Sequence, residues 1–141
     1  MAQLNTRRVL LGAVVGWLAW AAWSTVINMV ILVPRYAVAQ KAGMLLTLPR
    51  YPFFVPAWFV VLFVLALVAA WSYAGARATR GAGPATAMKV GATLGFASGF
   101  PIAFSLSAWA PFSRFIALGW MLDLWVGAIL ATLVAGWLYK D

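Results

Sequence analysis

Four long stretches of this chain carry no charge, and they limit what it can become more than any other feature. Val9 to Pro34, Tyr51 to Ala76, Val90 to Ser113 and Leu124 to Tyr139 contain no Lys, Arg, Asp or Glu. A helix needs about 20 apolar residues to cross the hydrocarbon of a bilayer, and a run of roughly 18 or more is a candidate span. The first three runs meet that length alone. The fourth meets it once extended back through Asp123 to about Phe115. Spans are therefore expected at about 9–33, 53–74, 86–108 and 115–139, in a single transmembrane domain covering residues 1–141.

Composition removes the soluble alternative. Hydrophobic residues make up 66% of the 141 and charged residues 9%, where a soluble domain carries about 25% charged residues. A domain this small leaves much of its surface against solvent, so that solvent must be lipid. The expected fold class is an all-α polytopic membrane protein with four transmembrane helices, and the lipid bilayer is its first partner.

The missing residue types exclude whole classes of chemistry. Cysteine and histidine are absent, which removes disulfides, thiol catalysis and Cys/His zinc, haem or iron–sulfur sites. No cofactor is expected. Asp123 and Asp141 are the only acids. Acid–base catalysis needs titratable groups within reach of one another, so an enzyme is not expected. The net charge of +8 comes from Lys and Arg at span ends, where they meet anionic headgroups and set orientation. No basic stripe or stacking platform accompanies it, and nucleic acid is not an expected partner.

Thr6-Arg7-Arg8-Val9-Leu10-Leu11 resembles a twin-arginine export signal, with Ala19-Trp20-Ala21 as a candidate cleavage site. A secretory apolar region runs about 7–15 residues. The longer run here, with Trp17, Trp20 and Trp23, suits a permanent span better. Four spans put both termini on one side, with Arg7, Arg8, Arg77, Arg80, Lys89 and Lys140. The other side has Arg35, Lys41, Arg50 and Arg114. That bias favours cytoplasmic termini. Arg77 to Pro84 reads as a tight cytoplasmic turn. Pro34 to Pro52 reads as the longest connection, outside, with Met44-Leu45-Leu46 against the membrane surface.

The two halves resemble each other. Leu67-Val68-Ala69-Ala70-Trp71-Ser72-Tyr73 ends the second span, and Leu133-Val134-Ala135-Gly136-Trp137-Leu138-Tyr139 ends the fourth, with five of seven positions identical. Gly12-Ala13-Val14-Val15-Gly16 opens the first span, and Gly91-Ala92-Thr93-Leu94-Gly95 opens the third. Each odd span leads to a proline (Pro34, Pro111), then an Arg and an aromatic residue (Arg35-Tyr36, Arg114-Phe115). Together these point to a 2+2 parallel-repeat bundle about an axis along the membrane normal. The competing explanation is that Trp and Tyr simply mark the two interfaces.

Small residues mark where helices meet, because close approach drives pairing in lipid. Gly91, Gly95 and Gly99 share one face of the third span, and Gly12 and Gly16 one face of the first. Gly119, Asp123, Gly127, Ala131 and Ala135 share one face of the fourth. These stripes are read as contacts within the bundle or between copies. Pro101, inside the third span, favours a kink, with Ser98 and Ser105 placed to relieve the freed carbonyl.

Asp123 is the expensive residue. It lies roughly 12 Å into the fourth span, where Asp costs about 2.5–3.5 kcal/mol on translocon scales. Such a residue faces the bundle and takes a partner. Asn28 and Ser105 lie at matching depth when Pro34 and Pro111 are aligned. Arg35 lies seven residues after Asn28 and shares its face if the helix continues. The candidate polar cluster is therefore Asp123, Asn28, Ser105 and Arg35, with Asp123 paired to an Arg and Asn28 donating a further hydrogen bond. Arg50 and Arg114 are alternative snorkelling partners.

The Gly-Ala-x-x-Gly openings at Gly12 and Gly91, the Trp-x-Tyr ends at Trp71 and Trp137, and Arg50-Tyr51-Pro52 before the second span resemble uncharacterised small four-helix membrane proteins of bacteria. The resemblance implies a bacterial inner-membrane location and no activity. The early intramembrane Glu of small multidrug exporters is missing, as are the cysteines of quinone-linked disulfide enzymes. Two functions remain open: an accessory or structural membrane subunit packing on a larger partner, and a small homo-oligomeric transporter or channel with a polar site around Asp123.

Overall fold

The computed structural model describes residues 4–139. Lys140, which entered the charge count above, and Asp141 lie outside the described residues. The chain is all-helical among those residues: α1 (Thr6–Val26), a π-helical turn (Ile27–Ile31), α2 (Val33–Lys41), α3 (Phe54–Arg80), α4 (Pro84–Trp109) and α5 (Arg114–Leu138). Four stretches are long and apolar enough to cross a membrane: Thr6–Ile31, Phe54–Arg80, Pro84–Trp109 and Arg114–Leu138. The protein is thus a multi-pass helical membrane protein. Large apolar side chains face outward along every span, Leu18, Val60, Ile102 and Leu122 among them, as hydrocarbon rather than water allows.

Local signals set the helix ends. The Asn5 side chain accepts from the Arg8 amide at 3.1 Å, and the Ser113 hydroxyl accepts from the Phe115 amide at 3.3 Å. Pro84 opens α4, where its missing N–H costs nothing. α3 does not stop near residue 74: it runs through Gly75 and Arg77 to Arg80. The turn read from sequence as Arg77 to Pro84 is in fact only Gly81 to Gly83. Gly81 and Gly83 have φ of 84° and 135° there, a region L side chains rarely enter. The Pro34 to Pro52 connection is also more ordered than expected, since Val33–Lys41 is helical.

α5 is the hub. It touches every other helix, while α1 and α4 use different faces of it and do not pack directly on each other among the described residues. A register of fours joins α1 to α5. A Cβ at Gly12 would meet Ala135, and one at Gly16 would lie 2.7 Å from the Ala131 carbonyl oxygen. A Cβ at Gly127 would collide with the Trp20 indole. Ser24 then meets Asp123. Each turn down α1 thus matches a turn up the antiparallel α5. α4 packs on another face of α5, with Gly91 against Ala128, Ile129 and Thr132, Gly95 against Trp125, and Gly99 against Met121 and Leu124. α4 runs helically through Pro101. Ser98 donates to the Gly95 carbonyl and Ser105 is exposed, so neither reaches the Ala97 carbonyl that Pro101 leaves without a donor.

The same pairs of spans touch when α1 and α3 are exchanged for α4 and α5, but the packing is uneven, with α1 lying on α5 far more extensively than α4 on α3. One pair of hydrogen bonds follows the same exchange. The Tyr73 hydroxyl accepts from the Gly83 amide at the start of α4 (3.1 Å), and the Tyr139 hydroxyl accepts from the Asn5 amide at the start of α1 (3.0 Å). The glycine contacts break the symmetry, because α1 and α4 both direct theirs at α5.

Candidate functional site

Two polar side chains of the first span converge on one carboxyl group of the fourth. Asp123 sits in the α5 stripe of small residues and is 1% exposed. Its Oδ2 accepts from the Ser24 hydroxyl and from the Asn28 side-chain amide, each at 2.8 Å. Both donors come from the α1 segment, one turn apart. Asn28 lies in the π-helical turn and also donates to the Ser24 carbonyl at 2.9 Å.

Each donor is itself held from behind. The Trp58 indole of α3 donates to the Ser24 hydroxyl oxygen at 3.2 Å. The Tyr36 hydroxyl of α2 donates to Asn28 Oδ1 at 2.7 Å, and the Trp120 indole of α5 donates to the Tyr36 oxygen at 2.7 Å. Burial raises the pKa of the Tyr36 phenol, which lies beyond the first membrane-length helix, so Tyr36 is a neutral donor. Two further indoles fasten the same stretch of α5 by its backbone: Trp20 donates to the Asp123 carbonyl at 3.1 Å and Trp23 to the Leu122 carbonyl at 3.0 Å. The result is two hydrogen-bonded chains, Trp58–Ser24–Asp123 and Trp120–Tyr36–Asn28–Asp123, with every donor pointing toward Oδ2. Such chains polarise one another in a low-dielectric interior. Asp123 Oδ1 is buried and has no partner among the described residues.

Of the residues expected in this cluster, Asp123 and Asn28 are in direct contact, while Ser105 and Arg35 are elsewhere. Ser105 is exposed on α4, and α4 does not touch α1. Arg35 donates to the Ile31 carbonyl at 3.3 Å and stacks over Phe115. Asp123 makes no ion pair among the described residues. The physical reason is a register shift. In a regular helix, residue 35 returns to the face of residue 28. The π turn adds one residue to the circuit, so residue 36 returns instead, and Tyr36 takes the place read for Arg35. The wide turn sits just before Pro34, whose ring has no N–H and crowds the carbonyl four residues back.

Sequence reading missed Ser24, Tyr36, Trp20, Trp58 and Trp120. One signal was present: Gly12, Gly16, Trp20, Ser24 and Asn28 continue a single spacing of four. The expected glycines all lie at helix contacts, with Gly119 against Leu32 and Gly12, Gly16, Gly91, Gly95, Gly99 and Gly127 placed as described above. The described residues include no group of His, Cys, Asp or Glu that can hold a metal ion.

Fold and cluster together define a multi-pass all-α membrane protein with a buried carboxyl group that accepts hydrogen bonds across two helical segments. No family model matches the chain, and comparison with curated proteins and with solved structures found no match either.

Proposed function

We propose that this chain is a non-catalytic accessory or structural membrane subunit, and that the Asp123 cluster is an internal fastening of its bundle. One observation carries the reading: both hydrogen-bonded chains that reach Asp123 end on an indole N–H. Indole is a donor only. A proton leaving Asp123 along either chain meets a group with no lone pair to receive it. The Asn28 amide interrupts one chain further. The arrangement suits holding helices, not relaying protons. Asp123→Asn should therefore lower the thermal stability of the protein in detergent, while proteoliposomes of wild type and variant show the same absence of proton or cation flux. Native mass spectrometry from mild detergent then reads out a second copy or a larger membrane partner in defined stoichiometry.

A second reading, a small homo-oligomeric transporter or channel built on Asp123, is favoured by the buried, unpartnered Oδ1. Flux that wild type supports and Asp123→Asn abolishes, with stability unchanged, would replace the first reading with the second.

A bacterial inner membrane with cytoplasmic termini is the matching location. Arg7, Arg8, Arg77, Arg80 and Lys89 lie toward the end of the bundle that holds Asn5 and Tyr139, against Arg35, Lys41, Arg50 and Arg114 at the other. The chain has no native cysteine, so single cysteines report orientation cleanly. In intact cells, an impermeant maleimide should label Ala42→Cys and spare Ala82→Cys.

A further inference from the structure

Two guanidinium groups share one phenyl ring at the end of the bundle away from Asn5 and Tyr139. Arg35, from α2, lies 5.2 Å from the Phe115 ring centroid, and Arg114, the first residue of α5, lies 5.5 Å from the same centroid. The two charges are therefore no further apart than those two distances combined. The Arg35 guanidinium is additionally held by the Ile31 carbonyl. Both arginines are exposed, and Phe115 is 47% exposed. A cation is attracted to an aromatic face, but two cations over one ring also repel each other.

No carboxylate among the described residues pairs with them. The only Asp or Glu among the described residues is Asp123, which is buried with its Oδ2 bonded to Ser24 and Asn28. A counter-charge from outside the bundle would relieve their repulsion. Guanidinium forks match phosphate oxygens in paired hydrogen bonds. Depth narrows the source: Arg114 opens the fourth span and Arg35 follows the end of the first, so both sit where hydrocarbon gives way to headgroups.

We infer that Arg35, Arg114 and Phe115 form a binding site for a phosphoryl anion, filled by the phosphodiester of an anionic lipid headgroup. The two arginines clamp the phosphate, and Phe115 holds both guanidiniums in place while its exposed edge meets the upper acyl chain. The site joins α2 to the start of α5, next to the Tyr36–Trp120 bond, so an occupied site also secures the segment that supports Asn28.

The test uses full-length protein purified in mild detergent, mixed with phosphatidylglycerol or phosphatidylcholine, and read by native mass spectrometry. Wild type should retain phosphatidylglycerol in preference to phosphatidylcholine. Arg35→Gln/Arg114→Gln should weaken that retention about tenfold or more, the scale of losing charge-assisted hydrogen bonds. Lys41→Gln/Arg50→Gln removes the same charge from the same end and should leave retention unchanged. Arg35→Lys/Arg114→Lys keeps the charge but loses the forks, and should retain the lipid less well than wild type. Equal loss in the Lys41/Arg50 variant, or no preference in wild type, overturns the site. A final arm adds inorganic phosphate. Displacement of the lipid at millimolar phosphate overturns the lipid assignment in favour of a free anion, and lipid that stays bound supports it.

Discussion

Gly127 shows how a single missing methyl group organises this protein. Trp20 is 1% exposed, and its indole occupies the space that any side chain at Gly127 would need. That position lets the indole reach the Asp123 carbonyl. Gly127→Ala should expel Trp20 and cost about 1–3 kcal/mol, the usual penalty for overpacking. Thermal unfolding in detergent gives the cost, and a change in tryptophan emission reports the displaced ring. Asp123 itself was legible from sequence as the expensive residue. Its partners were legible only in part. Asn28 follows from depth, whereas Ser24 and the indoles follow from packing that depth alone does not specify.

At the level of the element, the π-helical turn did most to separate expectation from structure. Nothing in Ile27-Asn28-Met29-Val30-Ile31 announces a wide turn except Pro34 beyond it. A regular helix would present Arg35 on the face of Asn28, where it could pair with Asp123. The added residue presents Tyr36 and builds a neutral hydrogen-bonded chain. The glycine stripes were more readable, because a spacing of four defines a face whatever the partner. Which helix each stripe meets was not readable, since both sides of α5 accept small residues. Position decides the value of each glycine. Gly95 abuts the Trp125 backbone, so a side chain there must push α4 from α5. Gly75 is exposed within α3 and a Cβ there meets nothing. Gly75→Ala should therefore raise stability by about 0.5–1 kcal/mol through helix propensity, while Gly95→Ala lowers it. Parallel thermal melts of the two variants check the contrast.

On the scale of the whole molecule, the four membrane-length helices follow directly from uncharged length, and α3 continues past its expected end to Arg80. The two Trp-x-Tyr ends behave alike, because Tyr73 and Tyr139 each accept from a backbone amide at a helix start, that of α4 and that of α1. Tyr73→Phe and Tyr139→Phe should each cost about 0.5–1.5 kcal/mol, the net worth of an ordinary hydrogen bond, and by similar amounts in the same melts. The symmetry stops at the carboxyl group. Asp123 aligns with Ala57 when the two Trp-x-Tyr ends are superposed, so only the α1–α5 side carries the fastening.

That fastening is tested most directly by a double-mutant cycle on Asn28→Ala and Asp123→Ala, with unfolding free energies measured in bicelles. The expected outcome is a coupling of about 0.5–2 kcal/mol between the two positions, in the range of bonded neighbours and of hydrogen bonds between membrane helices. Energies that simply add would mean that the carboxyl group does not hold α1 to α5.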